Sequence, residues 1–262
     1  MDLVAESNRQ YYLAWRLMAE AAVRGTIVTE PDFAITCAGV DIPLFNTAFV
    51  FGPVSDRRLC QVVDIARDYF RSQGVPGCVV LPDSWHPERA VEFFASQRMA
   101  ASLRTTGMYT TALAVPAHPP APCDIREVTG EEAAAALARV NTEAYGMDPQ
   151  ASHMMSLPRL WKSPARAYAI YERDLAVAVG GAAVSESVSY IMWMATLFQA
   201  RRRGYAEAII RRAWADTGTG RSVLHATGAG LPVYRRLGYR PVVDFPGSVS
   251  YTHLTLPTIL RV

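Results

Sequence analysis

Lysine is nearly missing from this chain: Lys162 is the only one among 26 basic side chains, and arginine supplies the rest. We read the skew as GC-rich coding and give it no functional weight. A dominant charge sign is missing too. The 26 basic and 24 acidic residues leave a formal charge of +2, which offers no broad cationic face to a nucleic-acid backbone. Paired cysteines are absent. Cys37, Cys60, Cys78 and Cys123 form no CxxC spacing and have no histidine cluster beside them. That argues against a structural zinc site, and no metal is expected. The opening MDLVAESNRQ lacks the basic-then-apolar pattern of a secretory leader, so the cysteines read as reduced, small apolar residues of a cytoplasmic protein. No apolar run is long enough to cross a membrane, and no membrane partner is expected.

What is present is ordinary globular composition: half the residues are hydrophobic and 19% are charged. A length of 262 residues lies between one large domain and two small ones. The proline-rich stretch Pro116-Ala117-His118-Pro119-Pro120-Ala121-Pro122 can continue neither a helix nor a central strand. It predicts a boundary near residue 120, giving domains 1–120 and 121–248.

Each half shows the same coarse order of helix, strands, helix, strand, helix, strands. The first half opens with an amphipathic helix over roughly residues 7–24, with Ser7 and Asn8 as candidate caps. Strands are expected at 33–39, 47–51 and 78–81, and helices at 57–73 and 87–96. In the second half a strand over 124–128 precedes a helix capped by Thr129, with Glu132 as capping-box partner. Strands follow at 167–172, 175–185 and 189–197, then a helix from Arg203 to Ala215, a strand at 223–226, a helix at 231–237 and a strand at 239–243. The expected fold class is therefore α/β. Gly180-Gly181 inside a strand predicts a bulge or a close approach of another backbone.

Chemistry concentrates between Ile191 and Tyr239. A strand runs into Gln199-Ala200-Arg201-Arg202-Arg203-Gly204-Tyr205-Ala206, and a helix begins inside that loop. Backbone amides and the positive end of a helix dipole converge at such a point and cradle phosphate. Gly204 lets a phosphate approach the backbone, Ala206 is the next smallest choice, and the arginines attract anions. Further on, His225-Ala226-Thr227-Gly228 leads from a strand into a helix carrying Tyr234, which ends at Gly238-Tyr239.

These residues resemble the GCN5-related N-acetyltransferase (GNAT) superfamily. Arg201, Gly204 and Ala206 match its [Q/R]-x-x-G-x-[G/A] loop, and Tyr234, Gly238 and Tyr239 match its Y-x-x-x-G-[F/Y] helix. The resemblance covers residues 123 to about 245. It implies an α/β (α+β) fold of two tandem acyl-CoA N-acyltransferase-like mixed-sheet domains, the C-terminal one complete except for its last strand. It also implies acetyl-CoA as co-substrate. The pyrophosphate would lie on Arg201, Arg202, Arg203, Gly204, Tyr205 and Ala206. The pantetheine arm would lie between splayed strands near Met194, Ala195, Leu197 and Thr227. A backbone N–H near Met194 would polarise the acetyl carbonyl, and Tyr234 would protonate the leaving thiolate. The implied reaction is acetyl transfer to a primary amine, small molecule or peptide, by direct attack in a ternary complex of a monomer or homodimer. The rivals are a non-catalytic acyl-CoA-binding regulator and a nucleic-acid binder acting through Arg201–Arg203, Arg211-Arg212 and Arg235-Arg236. Near-neutral charge argues against the second.

The pattern is departed from in three places. Arg202 stands where the family often has glycine. The strand before the loop has no carboxylate, so the base would be a water chain, or the amine would arrive neutral. Glu186 and His225 are nearby titratable groups that read more simply as a surface charge and a strand histidine. Third, the stretch 249–262 reads as a non-native, adaptor-derived tail, or else as a strand-like last segment over Leu254–Leu260. The first half resembles a degenerate copy. Its loop Gly52-Pro53-Val54-Ser55-Asp56-Arg57 lacks the phosphate pattern, and Asp56 would repel an anion, so no CoA site is expected there. Tyr145–Trp161 would line the acceptor side, with Met147, His153, Met154, Met155 and Trp161 forming an apolar wall and Asp148 as the nearest acid.

Overall fold

The computed structural model describes residues 2–85, 90–97, 99–116, 122–128, 130–147 and 153–250. Its internal contacts divide it into two units. Unit 1 takes the chain up to Met108, Ala226–Ala229 and the described residues from Pro241. Unit 2 takes Tyr109–His225 and Gly230–Arg240. Five residues of the proline-rich stretch, 117–121, lie outside the described residues.

Unit 1 begins with helix α1, Leu3–Ala21. The Asp2 carboxylate caps it, accepting the amides of Val4 and Ala5 at 2.9 and 3.1 Å. The expected caps Ser7 and Asn8 lie within the helix and are buried, and the Asn8 side chain donates to the Val50 carbonyl at 2.8 Å. Strands β1 (Thr26–Thr29), β2 (Phe33–Cys37) and β3 (Asn46–Val50) come next. Helix α2 (Asp56–Ser72), strand β4 (Cys78–Val80), helix α3 (Ala90–Ser96) and strand β5 (Met99–Thr110) complete the N-terminal run. The last strand of the chain, β11 (Arg240–Ser250), inserts between β4 and β5, so the order is β1-β2-β3-β4-β11-β5. Helix α2 carries apolar residues at helical spacing. Leu59, Val62, Val63, Ala66 and Phe70 bury into one cluster with Ile35, Ala48, Val50 and Val79.

The C-terminal stretch is thus part of the N-terminal core. Phe245 is fully buried and packs edge-on against Tyr11 at 5.9 Å. Burying such a ring stabilises by about 1.5–3 kcal/mol. Asp244 accepts from the Thr106 hydroxyl at 2.6 Å and pairs with Arg104. Strand β11 runs antiparallel to β4, with Gly247, Ser248 and Val249 opposite Val80, Val79 and Cys78. The ladder therefore passes Ser248 and includes Val249, the first residue of the stretch read as a non-native tail; 251–262 lie outside the described residues.

Unit 2 starts with strand β6 (Asp124–Val128) and helix α4 (Gly130–Tyr145); Thr129, the expected cap, lies outside the described residues. Strands β7 (Ala165–Glu172), β8 (Leu175–Ser185) and β9 (Val188–Thr196) form an antiparallel meander with β6. Its two tight turns, Arg173-Asp174 and Glu186-Ser187, have φ between 47° and 67°, the twist that matches two-residue hairpins. Helix α5 (Tyr205–Thr217) crosses to strand β10 (Ser222–Ala226), which lies parallel to β9, and helix α6 (Leu231–Arg236) follows. The strand order is β6-β7-β8-β9-β10. Ile209, Ile210 and Ala213 of α5 and Ala134, Leu137 and Val140 of α4 are buried. Among the described residues no helix is long and apolar enough to cross a membrane.

Candidate functional site

The site grows from one end of β9. The parallel ladder between β9 and β10 pairs Ser189 with Ser222, Tyr190 with Val223 and Ile191 with Leu224. It stops there, although β9 continues to Thr196 and β10 to Ala226. On its other side β9 bulges. Val179 lies opposite Ala195 and Gly181 opposite Met192, so Gly180 alone faces Trp193 and Met194. Trp193 absorbs the extra residue in the left-handed region, at φ 55°.

The paired glycines of β8 have separate reasons. A Cβ on Gly180 would lie 2.1 Å from Met194 Sδ, and one on Gly181 would lie 2.6 Å from the Trp161 ring and 2.9 Å from the Arg166 carbonyl. Gly180 therefore makes room for the bulge, and Gly181 for a buried tryptophan.

Beyond Leu197 the chain makes a single 3-10 turn, Phe198–Ala200, and enters the arginine loop. Gly204 sits before α5 at φ 80° and provides no capping side chain. The amides of the first helical turn are thus unmatched from within the helix and point out at its positive end. A Cβ on Gly204 would meet nothing within 4 Å, so the backbone conformation, not space, selects glycine here. Arg202 has φ 66°, which explains why a glycine suits that position.

The three arginines differ. Arg201 turns back on the protein and donates to the carbonyls of Thr196 and Ala144 at 3.2 and 3.3 Å. Arg203 pairs with Glu172 at 2.9 Å, and Tyr205 donates to the same carboxylate at 2.7 Å. That hydrogen bond is the main reason the Tyr205 pKa is raised. Arg202 is exposed, at the crest of the loop. Met194 is half-buried, Ala195 is buried in β9 and Leu197 just after it, Ala206 is half-buried, and Thr227 is exposed and grouped with unit 1.

Tyr234 stands on α6, half-buried, with its ring edge-on to Tyr239 at 5.9 Å. Burial, then the neighbouring Tyr145 and Tyr239 hydroxyls, push its pKa well above the usual phenol value, so it holds its proton at neutral pH. Tyr239 Oη lies 2.8 Å from Ser222 Oγ. Gly238, at φ 94°, turns the chain after α6, and a Cβ there would sit 3.1 Å from backbone atoms of Ala112 and Ala114.

Neither titratable neighbour makes a base. Glu186 occupies the β8–β9 turn, and Trp193 lies five residues beyond Val188, or about 17 Å of extended strand. His225 Nδ1 lies 3.0 Å from Tyr190 Oη, and burial lowers its pKa to about 3. Of the expected apolar acceptor wall, three residues belong to the core, while Met147 is half-buried and His153 exposed. Met154, Met155 and Trp161 are buried, and the indole N–H of Trp161 donates to the Met155 carbonyl at 2.6 Å. Asp148 lies outside the described residues.

Sequence reasoning missed α4's role. Asn141 and Tyr145, one helical turn apart, donate to the carbonyls of Trp193 and Met194. The i, i+4 spacing was legible, but the partner strand was not. Among the described residues no cluster of His, Cys, Asp or Glu could hold a metal ion.

No family profile and no curated protein matches the chain. Solved structures do. A GCN5-related N-acetyltransferase from Kribbella flavida aligns over 97% of each chain with a TM-score of 0.73 at 17% identity. Another, from Sphaerobacter thermophilus, gives 0.57 at 12% identity over 84% of this chain and 80% of its own. A tandem GNAT protein from the clavulanic acid biosynthesis pathway gives 0.53 at 13% identity over 94% of both. The chain has the mixed α/β fold of the GCN5-related N-acetyltransferases, and the likeness spans both halves.

Proposed function

We propose that the second unit transfers an acetyl group from acetyl-CoA to a primary amine of a small molecule or peptide. The observation that carries this reading is the β9–β10 ladder ending just before a bulge, with a glycine-opened helix N-terminus at the same end of β9. A slot between two strands takes an extended arm that pairs with strand backbone, and the helix start takes its pyrophosphate. In this reading the amides from Gly204 to Ala206 hold phosphate oxygens. Arg202 adds charge, Arg201 and Arg203 brace the loop, and Met194, Ala195 and Leu197 flank the pantetheine.

The amine nitrogen attacks the thioester carbonyl while the Met194 N–H stabilises the developing oxyanion. The C–N bond forms, the C–S bond breaks, and the thiolate takes the Tyr234 proton. Tyr234 recovers a proton from solvent, which also receives the proton lost by the amine. With His225 held neutral and Glu186 remote, the amine reacts in its neutral form or through water.

A panel of amines incubated with acetyl-CoA, followed by released thiol, tests the proposal. The wild type is expected to release thiol with at least one amine, and Tyr234→Phe to bind CoA normally but release thiol slowly. CoA binding without turnover, and no effect of Tyr234→Phe on any readout, would instead support a non-catalytic acyl-CoA binder.

A further inference from the structure

The two consecutive carbonyls of the β9 bulge are both held by α4. The Asn141 side-chain amide donates to the Trp193 carbonyl at 3.4 Å and to the Leu137 carbonyl at 3.0 Å, and the Tyr145 hydroxyl donates to the Met194 carbonyl. Asn141 is fully buried, and its Oδ1 makes no hydrogen bond among the described residues. A buried amide used only on its donor side stabilises poorly, and an apolar side chain of the same shape serves packing equally well. What Asn141 does provide is direction. The Trp193 carbonyl and the Met194 N–H belong to one planar trans peptide, so they point in opposite directions. Holding that carbonyl against α4 fixes the Met194 N–H away from α4. By the same geometry, Tyr145 holds the next peptide, whose Ala195 N–H faces β8, where Ala195 lies opposite Val179.

We infer that Asn141 and Tyr145 are positioning residues that hold the two bulge peptides so that the Met194 N–H is aimed at the thioester carbonyl. The inference rests on the proposed acetyl transfer. It adds that the oxyanion-stabilising direction is set from α4 rather than by β9 itself. The left-handed conformation of Trp193, at φ 55°, is the reason a clamp is needed. Without side chains on its carbonyls, a tryptophan relaxes toward ordinary strand geometry and carries the Met194 N–H with it. Tyr145 helps to raise the pKa of Tyr234, and Arg201 donates to the carbonyl of the neighbouring Ala144 at 3.3 Å, so the clamp lies close to both the acid and the phosphate loop.

The test needs no acceptor amine. Carbonyl-labelled [1-13C]acetyl-CoA is bound to the wild type, Asn141→Leu and Tyr145→Phe, and the thioester carbonyl stretch is read by isotope-edited infrared spectroscopy. CoA affinity and the melting temperature are measured alongside. The wild type is expected to shift the stretch to lower frequency on binding. Asn141→Leu should lose most of that shift while its CoA affinity stays within about threefold and its melting temperature is unchanged or raised. Tyr145→Phe, which removes only a hydroxyl at a partly exposed position, should lose part of the shift. A purely structural role predicts the reverse: a lower melting temperature with an intact shift. Equal shifts in all three proteins overturn the inference, as does a wild type that binds acetyl-CoA with no shift. A wild type that binds neither CoA nor acetyl-CoA overturns the proposed transfer itself.

Discussion

Two parallel strand pairs, one per unit, begin alike and end differently. In unit 1, β3 and β4 stay paired from Thr47–Cys78 to Phe49–Val80, the full length of β4. Asn46 locks that pair. Its Oδ1 accepts the amides of Ala38 and Gly39, and its Nδ2 donates to the carbonyls of Val40 and Pro76, each at 2.7 Å. Helix α2 then starts under a Ser55 cap that accepts the Arg58 amide at 3.3 Å, with Asp56 in its first turn. In unit 2, the β9–β10 ladder breaks after Ile191–Leu224, β9 bulges, and α5 starts bare behind Gly204. One strand pair is closed and its helix start is capped; the other is open and its helix start has no side-chain cap, while its first-turn acid, Glu207, pairs with Arg211 at 2.7 Å. The same order of elements thus yields a closed strand pair before a capped helix in one half and an opened strand pair before an uncapped helix in the other. The difference lies in a few residues at the strand ends.

Substitutions that erase this contrast should have the largest effects. Gly204→Glu places a carboxylate where the pyrophosphate is expected, on a backbone with φ 80°. CoA affinity should fall by about 100-fold or more, measured by calorimetry, with the melting temperature only modestly lower. Tyr234→Phe should cut turnover by about 100-fold with CoA affinity unchanged. Gly180→Ala forces its Cβ onto Met194 Sδ at 2.1 Å. Overpacking of this kind costs about 1–3 kcal/mol, visible as a lower denaturation midpoint and, through the displaced Met194, as weaker acetyl-CoA binding.

Arg202→Gly sharpens the contrast in the other direction. A left-handed non-glycine residue costs roughly 1–2 kcal/mol, and part of that is offset by glycine's greater unfolded-state freedom. A gain of about 0.5–1 kcal/mol is expected in chemical denaturation, together with somewhat weaker, less salt-dependent CoA binding. The smallest effect at neutral pH is that of His225, and it grows as the pH falls. His225 has its pKa lowered to about 3 in the folded chain, against about 6.5 when unfolded. The unfolded state binds more protons between those values, so stability is lost as pH falls below about 6.5. Replacing His225 with glutamine should flatten that acid limb of the stability curve.

Much of this was legible beforehand, and the misses share a cause. The arginine loop, Gly204 and the Tyr234 helix show in sequence because they are local: a turn, a cap and a helix face. The Gly180-Gly181 pair signalled a bulge, and β9 bulges opposite Gly180. Asn141 and Tyr145 did not show, since their partners lie 52 and 49 residues away. Met154, Met155 and Trp161 were read as a pocket wall because apolar residues in a loop look the same whether they face a ligand or the core. Phe245 looked like the approach to a chain end, yet it fills the core of unit 1, at the far end of the sequence from Tyr11. Long-range pairing is the part that composition and periodicity do not carry.

The central claim is that one half of this chain takes CoA and the other does not. Calorimetric titration of the full chain with CoA tests it most directly, run beside Gly204→Glu. One CoA per chain in the wild type and none in Gly204→Glu is the predicted result. Two CoA per chain, or undiminished binding in Gly204→Glu, would contradict it.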